Sequence, residues 1–208
     1  MNGKKFAAHF MLAPGGKFLK WPVIEVDGAG LICEVRTSEE GLKEEPGLSF
    51  FPGILLPGFI DVFVTANFPR EPRFFNRHFS QGTLCLGFLS GGPFDATTKV
   101  PVPCAIPSPK TNVGFNSDGE VPLWERLKTF ALAGDREALP MLLHEATAGA
   151  AQYAGLDGAG ELKKGKSPGI LLLRDADLAE KRLTPRAFVQ WLNVPSEFYL
   201  NNFIQQTK

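Results

Sequence analysis

The side chains able to do metal or nucleophilic chemistry are few in this sequence and far apart. There are three histidines (His9, His78, His144) and three cysteines (Cys33, Cys85, Cys104) in 208 residues. Zinc sites draw on Cys and His at short spacing, and neither a CxxC nor a Cys/His pair of that kind occurs. Nothing in the spacing of the histidines favours a three-histidine zinc site. Cys85 or Cys104 with His78 would make a thiol–imidazole nucleophile pair only with close approach and an orienting third group; a buried, inert thiol is the plainer expectation. Gly91-Gly92-Pro93 lacks the Lys-Ser/Thr that completes a phosphate-cradling loop and reads as a turn. Lys163-Lys164-Gly165-Lys166 reads as a solvated turn, and Asp175 and Asp177 as loop caps.

Composition narrows the classes further. The chain is long enough to bury a core, and 44% of it is hydrophobic, as in an ordinary globular domain. Formal net charge is zero, which argues against a general nucleic-acid binder, since phosphate neutralisation needs a basic face. The longest apolar stretch, Ser49 to Phe63, is broken by Pro52, Gly53, Pro57 and Gly58, so no membrane span is expected. Residues Met1 to Phe10 lack the apolar run of a signal peptide. Odd, scattered cysteines fit reduced thiols, and the expected location is cytoplasmic. Phenylalanine is unusual, at 18 residues against two tyrosines, and much of it lies between Phe50 and Phe94 among Pro and Gly. Such a segment either packs irregularly on its own aromatics or exposes an aromatic docking surface.

The elements that would position these groups follow from local patterns. Apolar segments at Phe6–Leu12, Val23–Val26 and Leu31–Val35, separated by Pro14-Gly15-Gly16 and Asp27-Gly28-Ala29-Gly30, predict short strands and turns. The charged run Thr37 to Gly47 predicts a surface loop. Gly53 to Asp61 predicts a buried strand leading into a turn. From Ala66 to Pro122 only Thr83–Phe88 looks regular, as a short strand, and so long a structureless connection is expected to be functional or pinned to something. Helices are predicted at Leu123–Ala133 and at Leu139–Ala154, the latter with Pro140 in its first turn. A strand is predicted at Ile170–Leu173, a short helix at Thr184–Leu192 with Thr184 as N-cap, and an amphipathic helix at Ser196–Gln205.

Two segments together resemble a known family. Leu55-Leu56-Pro57-Gly58-Phe59-Ile60-Asp61 is similar to the link between the small β domain and the first barrel strand of the amidohydrolase superfamily of metal-dependent hydrolases. Ala146-Thr147-Ala148-Gly149-Ala150-Ala151, followed by Gly160 to Leu173, resembles that family's last helix, its Gly- and Lys-rich turn and the strand returning to the β domain. The resemblance covers residues 5–65 and 83–192, without 66–82 and 93–121.

The resemblance implies a divalent metal that lowers the pKa of bound water and polarises the scissile carbonyl. It also implies a His-x-His pair just after the Pro-Gly-Phe-Ile-Asp element, and here those positions hold Phe63 and Thr65. Phenylalanine has no lone pair, and a threonine hydroxyl is a poor substitute for imidazole. Leu84 to Ser90 resembles the last barrel strand, where the family's aspartate ligand falls on Phe88 or Leu89. A (β/α)₈ barrel takes about 250 residues, and the stretch between Asp61 and Leu84 leaves no room for its middle units.

The expected fold is therefore α+β in a single domain over residues 1–208. Residues 5–62 and 156–192 would form the composite β-sandwich or pseudobarrel domain of metal-dependent hydrolases, built from both chain ends. Residues 63–155 would be a remnant of a truncated barrel, with an irregular Phe/Pro/Gly-rich segment and helices. The expected function is non-catalytic binding, scaffolding or protein interaction, with no metal and no other cofactor. The expected partner is a second copy, as a dimer, or a full-length amidohydrolase relative. The alternatives are a small-molecule binding module or an enzyme with a rebuilt non-metal site. Phe59, Phe74, Phe75, His78 and Phe94 are the candidate ligand or partner surface.

Overall fold

In the computed structural model, residues 3–64, 72–88, 121–133, 139–174 and 198–200 are described. Two turns shape the N-terminal part. Gly15 and Gly16 both have positive φ, and Gly16 N–H donates to the Ala13 carbonyl at 3.1 Å. This folds strand β2 (Phe18–Lys20) back onto β1 (Lys4–Leu12). At the second turn the Asp27 carboxylate accepts from the N–H groups of Ala29 and Leu31, both at 2.9 Å, and Gly30 takes φ +85°. That Asp-based turn joins β3 (Val23–Val26) to β4 (Ile32–Arg36).

β1 organises the sheet. One of its edges is divided, with β3 antiparallel along Lys4–Ala7 and β2 antiparallel along Phe10–Leu12. Its other edge pairs in parallel with β5 (Leu48–Pro57), with a register irregularity between Ala8 and Phe10. β5 pairs antiparallel with β8 (Ile170–Arg174), and β8 with β9 (Phe198–Leu200). The seven-stranded sheet thus runs β4-β3-β1-β5-β8-β9, with β2 on β1. Its core combines Phe6, Ala8, Met11, Ile24, Val26, Ile32 and Leu55 with Leu162, Ile170 and Leu172, so both ends of the described chain fill it.

The chain divides into two compact units, Met1–Pro57 with Glu161–Lys208, and Gly58–Gly160. The second unit holds β6 (Phe59–Val64), α1 (Pro72–Ser80), β7 (Thr83–Phe88), α2 (Leu123–Ala133), α3 (Leu139–His144) and α4 (Ala150–Ala154). β6 and β7 form a parallel pair, as a strand–helix–strand crossover requires. Residues Glu145–Gly149 continue α3 into α4 as a π turn. Leu143, Ala146, Thr147, Ala150 and Ala151 are buried along this segment, the stripe expected of a core-facing helix. Gly155, at φ +68°, ends it. Leu156 N–H donates to the Ala151 carbonyl and Gly155 N–H to that of Gln152, the paired bonds of a Schellman cap.

The structure corrects three expectations. Residues 72–80 are helical, with Pro72 opening the helix where its missing N–H costs nothing. Gly53 to Asp61 does not end in a turn: β5 reaches Pro57 and β6 begins at Phe59, with Gly58 as the sole break. Residues 198–200 form a strand within the expected Ser196–Gln205 helix, because pairing with Leu171–Leu173 overrides the local apolar period. The Thr184–Leu192 helix lies outside the described residues. Among the described residues no helix is long and apolar enough to cross a membrane.

Candidate functional site

In α/β units chemistry gathers at the C-terminal ends of parallel strands, which places the candidate site where β6 and β7 end. Their register pairs Phe59 with Thr83, Ile60 with Cys85, Asp61 with Leu86 and Val64 with Phe88. Irregularities fall between Phe59 and Ile60 and between Asp61 and Val64. The start of the pair is fixed by Phe59 N–H donating to the Gly82 carbonyl at 3.0 Å, with Gly82 at φ +82°.

Below those ends the unit is packed with apolar groups. Phe59 is fully buried and stacks on Trp124, with ring centroids 5.7 Å apart and 14° between planes. Ile60, Cys85, Ala150 and Ala151 form a buried cluster, with Tyr153, Leu156 and Ala159 against it. Polar side chains are buried here as well: Asp61, His78, Thr83 and Thr147 are each at most 2% exposed. Thr83 Oγ1 has no hydrogen-bond partner among the described residues. Thr147 Oγ1 donates back to the Leu143 carbonyl at 2.7 Å, inside the π turn, a bond that commonly bends helices. Gly160, at φ +79°, lies so close to this segment that a Cβ there would sit 2.6 Å from Ala151 Cβ and 2.8 Å from the Thr147 carbonyl. The glycine opening the Gly160–Leu173 segment therefore has a steric reason.

The structure places the sequence candidates as follows. Phe63 is on β6 one residue before Val64, and Phe88 ends β7. Thr65, Leu89, Phe94 and Cys104 lie outside the described residues. Phe74 and His78, both on α1, touch at 4.6 Å between ring centroids, the i,i+4 neighbourhood of a helix; Phe75 is on the same helix. His78 is buried and Phe74 half-buried. Cys85 is buried in the apolar cluster, and Cys33 is exposed on β4. His9 belongs to one compact unit, His78 and His144 to the other. Among the described residues no group of three or more His, Cys, Asp or Glu is placed to hold a metal ion.

Two features of the sheet unit have no counterpart in the sequence reading. His9 is buried at the β1–β5 irregularity, where its Nδ1 accepts from Gly53 N–H at 3.2 Å. The rings of Trp21 and Phe50 pack edge-on against it at 5.4 and 5.1 Å, and Trp21 takes the left-handed conformation at φ +47°. The second feature is an ion triad in which the Glu45 carboxylate accepts from Lys5 at 2.8 Å and from Arg36. The hydrogen bond from Lys5, then that from Arg36, hold the Glu45 carboxyl below its usual range. An open cavity of about 440 Å³ lies beside it, lined by Leu42, Lys43, Glu44, Glu45, Leu48 and Phe50. Residues 37–47 carried no signal for this beyond their charge.

No protein-family model matches the sequence, and no curated protein is detectably similar to it. Solved structures do match. An E. coli guanine deaminase aligns at a TM-score of 0.56 and 9% identity, over 96% of this chain and 98% of that one. An amidohydrolase from an environmental sample of the Sargasso Sea aligns at 0.56 and 11%, over 94% and 90%. A putative prolidase from Bifidobacterium longum aligns at 0.54 and 13%, over 92% and 98%. Further matches, among them a Xaa-Pro dipeptidase, take in 26% of the other chain at a TM-score of 0.34 and carry no argument. At these identities the likeness is one of fold. The chain is a mixed α+β protein similar to amidohydrolase structures.

Proposed function

We propose that this chain is a non-catalytic amidohydrolase-like protein with a binding or scaffolding role. In this account the sheet built from Met1–Pro57 and Glu161–Lys208 is the composite β domain of that family, and Gly58–Gly160 is what remains of a truncated barrel. The observation that carries it is β6. It follows directly from Pro57-Gly58-Phe59-Ile60-Asp61, and it bears Phe63 where the family resemblance calls for the first histidine ligand. Phe88, at the end of the strand paired with it, is likewise without a lone pair. The donor set does not fit a divalent metal, so no hydrolytic step is derived through one. The working form is a homodimer or a complex with a full-length amidohydrolase relative.

Two measurements test this. Steady-state assays on dipeptide, N-acyl and aminopurine substrates, with zinc, iron, nickel or manganese added, should show no turnover above the uncatalysed rate. Recovery of protein from native extract should yield this chain with a stoichiometric partner or a second copy of itself. Turnover that survives chelation and disappears on Cys85 or Cys104 replacement would instead establish an enzyme with a rebuilt site.

A second function, small-molecule binding, draws on the cavity beside Phe50. A ligand that binds only the folded state raises the melting temperature. A metabolite panel that produces no shift removes this possibility.

A further inference from the structure

Among the described residues β4 ends the sheet, and its outer edge is only partly closed. At Ile32 the edge is taken. Its N–H donates to the Lys166 carbonyl at 2.9 Å, and its own carbonyl accepts from Gly165 N–H at 2.8 Å. Beyond that point Cys33, Glu34, Arg36 and Thr37 are exposed. Val35 is half-buried and packs against the sheet's core cluster, so it marks the core side of the strand. Its neighbours Glu34 and Arg36, one residue away on either side, belong to the opposite side.

An open edge can pair with any extended chain, and charged side chains there discourage indiscriminate pairing. The charges on β4 are arranged in a particular way. Glu34 lies across from Glu25 of β3, and its side chain makes no hydrogen bond or ion pair among the described residues. Arg36 bonds Glu45, yet its side chain remains 45% exposed. Opposite charges at positions i and i+2 are self-complementary under one kind of pairing only.

We infer that two copies of this chain join edge to edge through β4, antiparallel about a two-fold axis at Val35. In that register Glu34 lies across from Arg36 of the second copy, and Arg36 across from Glu34 of the second copy. The two Val35 side chains meet at the axis on the core side, which joins the two apolar cores. Centring the pairing on Glu34 would set carboxylate against carboxylate, and centring it on Arg36 would set guanidinium against guanidinium. A parallel, in-register pairing stacks like on like along its length. Direct like-charge pairs are unfavourable and opposite-charge pairs favourable, so one register is selected. It spans Cys33 to Arg36, the part of the strand that Gly165 and Lys166 leave uncovered, and reaches Thr37 just beyond the strand's end. The second copy is the occupant this edge fits, and isologous pairing of this kind closes the assembly at two.

This surface deepens the homodimer version of the proposed function and rests on it. The test is the mass in solution of four full-length proteins by sedimentation at micromolar concentration: the native chain, Glu34→Arg, Arg36→Glu, and the two changes combined. The native chain should be a dimer. Each single reversal should weaken dimerisation by about tenfold or more. The combined variant, in which the complementary pairs are exchanged, should be a dimer again. That recovery cannot come from a folding defect. A Thr37→Cys variant supplies a second readout, because Cys33 of the other copy lies across from it. Cys33 is the extra residue at the β3–β4 register irregularity and is exposed, so oxidation should give a covalent dimer on a non-reducing gel, residues facing each other across an antiparallel pair being close to disulfide distance. A native monomer, single reversals that stay dimeric, or a combined variant that stays monomeric would each overturn the proposal. None of those results touches the non-catalytic assignment, which depends on the residues at the ends of β6 and β7.

Discussion

The two compact units are built from different kinds of detail. In the sheet unit, polar groups with one specific task recur: Asp27 closes a turn with two hydrogen bonds, Nδ1 of His9 takes the place of a ladder partner for Gly53, and Glu45 gathers Lys5 and Arg36. In the Gly58–Gly160 unit apolar packing is prominent, with Phe59 on Trp124 and Ile60 with Cys85, Ala150 and Ala151, and the buried polar groups Asp61 and Thr83 lie on the strands among it. The second unit carries the strand ends at which an amidohydrolase fold would hold its ligands, and Phe63 and Phe88 stand there. The contrast is one of local construction: hydrogen-bonded polar groups shape the turns and strand pairing of the first unit, and aromatic and small apolar side chains pack the second around its buried Asp61 and Thr83.

Trp124→Ala removes the largest fully buried side chain among the described residues and the stack on Phe59, and should lower stability by about 3–5 kcal/mol in urea denaturation. A loss below about 1 kcal/mol would mean that this unit is not held by its aromatic core. Gly160→Val forces a branched residue into a left-handed backbone against the Thr147 carbonyl, and should lower stability by about 2–4 kcal/mol. Asp27→Ala, an exposed turn change in the other unit, should lower it by about 1 kcal/mol.

Glu45→Gln should have a smaller effect still, sensitive to salt, because the triad lies at the surface with Lys5 and Glu45 half-buried and Arg36 exposed. Its sign with pH is fixed. The folded carboxyl titrates below the ordinary value of 4.5, so its contribution is present above that value and lost as pH falls through the lowered one. Denaturation of native and variant proteins should therefore converge in acid and separate near neutrality. Phe63→His combined with Thr65→His should change nothing measurable in metal uptake, because two histidines without the remaining ligands do not complete a site. Near-stoichiometric zinc in that variant would reveal further donors close by.

Much of the fold was legible because it rests on local physics. The turns at Gly15-Gly16 and Asp27–Gly30 follow from residues that tolerate or create tight turns, and both occur as expected. The helices at Leu123–Ala133 and from Leu139 to Ala154 follow from apolar periodicity, with the π turn as a detail that period does not encode. The helix at 72–80 was hidden by its setting, since Pro72 and three aromatics in a Pro/Gly-rich stretch read as irregular. β9 was hidden because Phe198-Tyr199-Leu200 fits either period, and its strand partner is distant in sequence. At the candidate site the absence of histidine at 63 and 65 needs only residue identity. The aromatic packing of His9 with Trp21 and Phe50 depends on a long-range register and a positive φ that no local pattern announces.

The most direct test of the central claim is elemental analysis of the tag-free native protein after purification without added metal, with its mass measured in the same sample. The account predicts zinc, iron, nickel and manganese each far below one equivalent per chain, in a folded dimer. One equivalent of any of them, retained through dialysis, would contradict it and identify this chain as a metalloprotein with a site of its own.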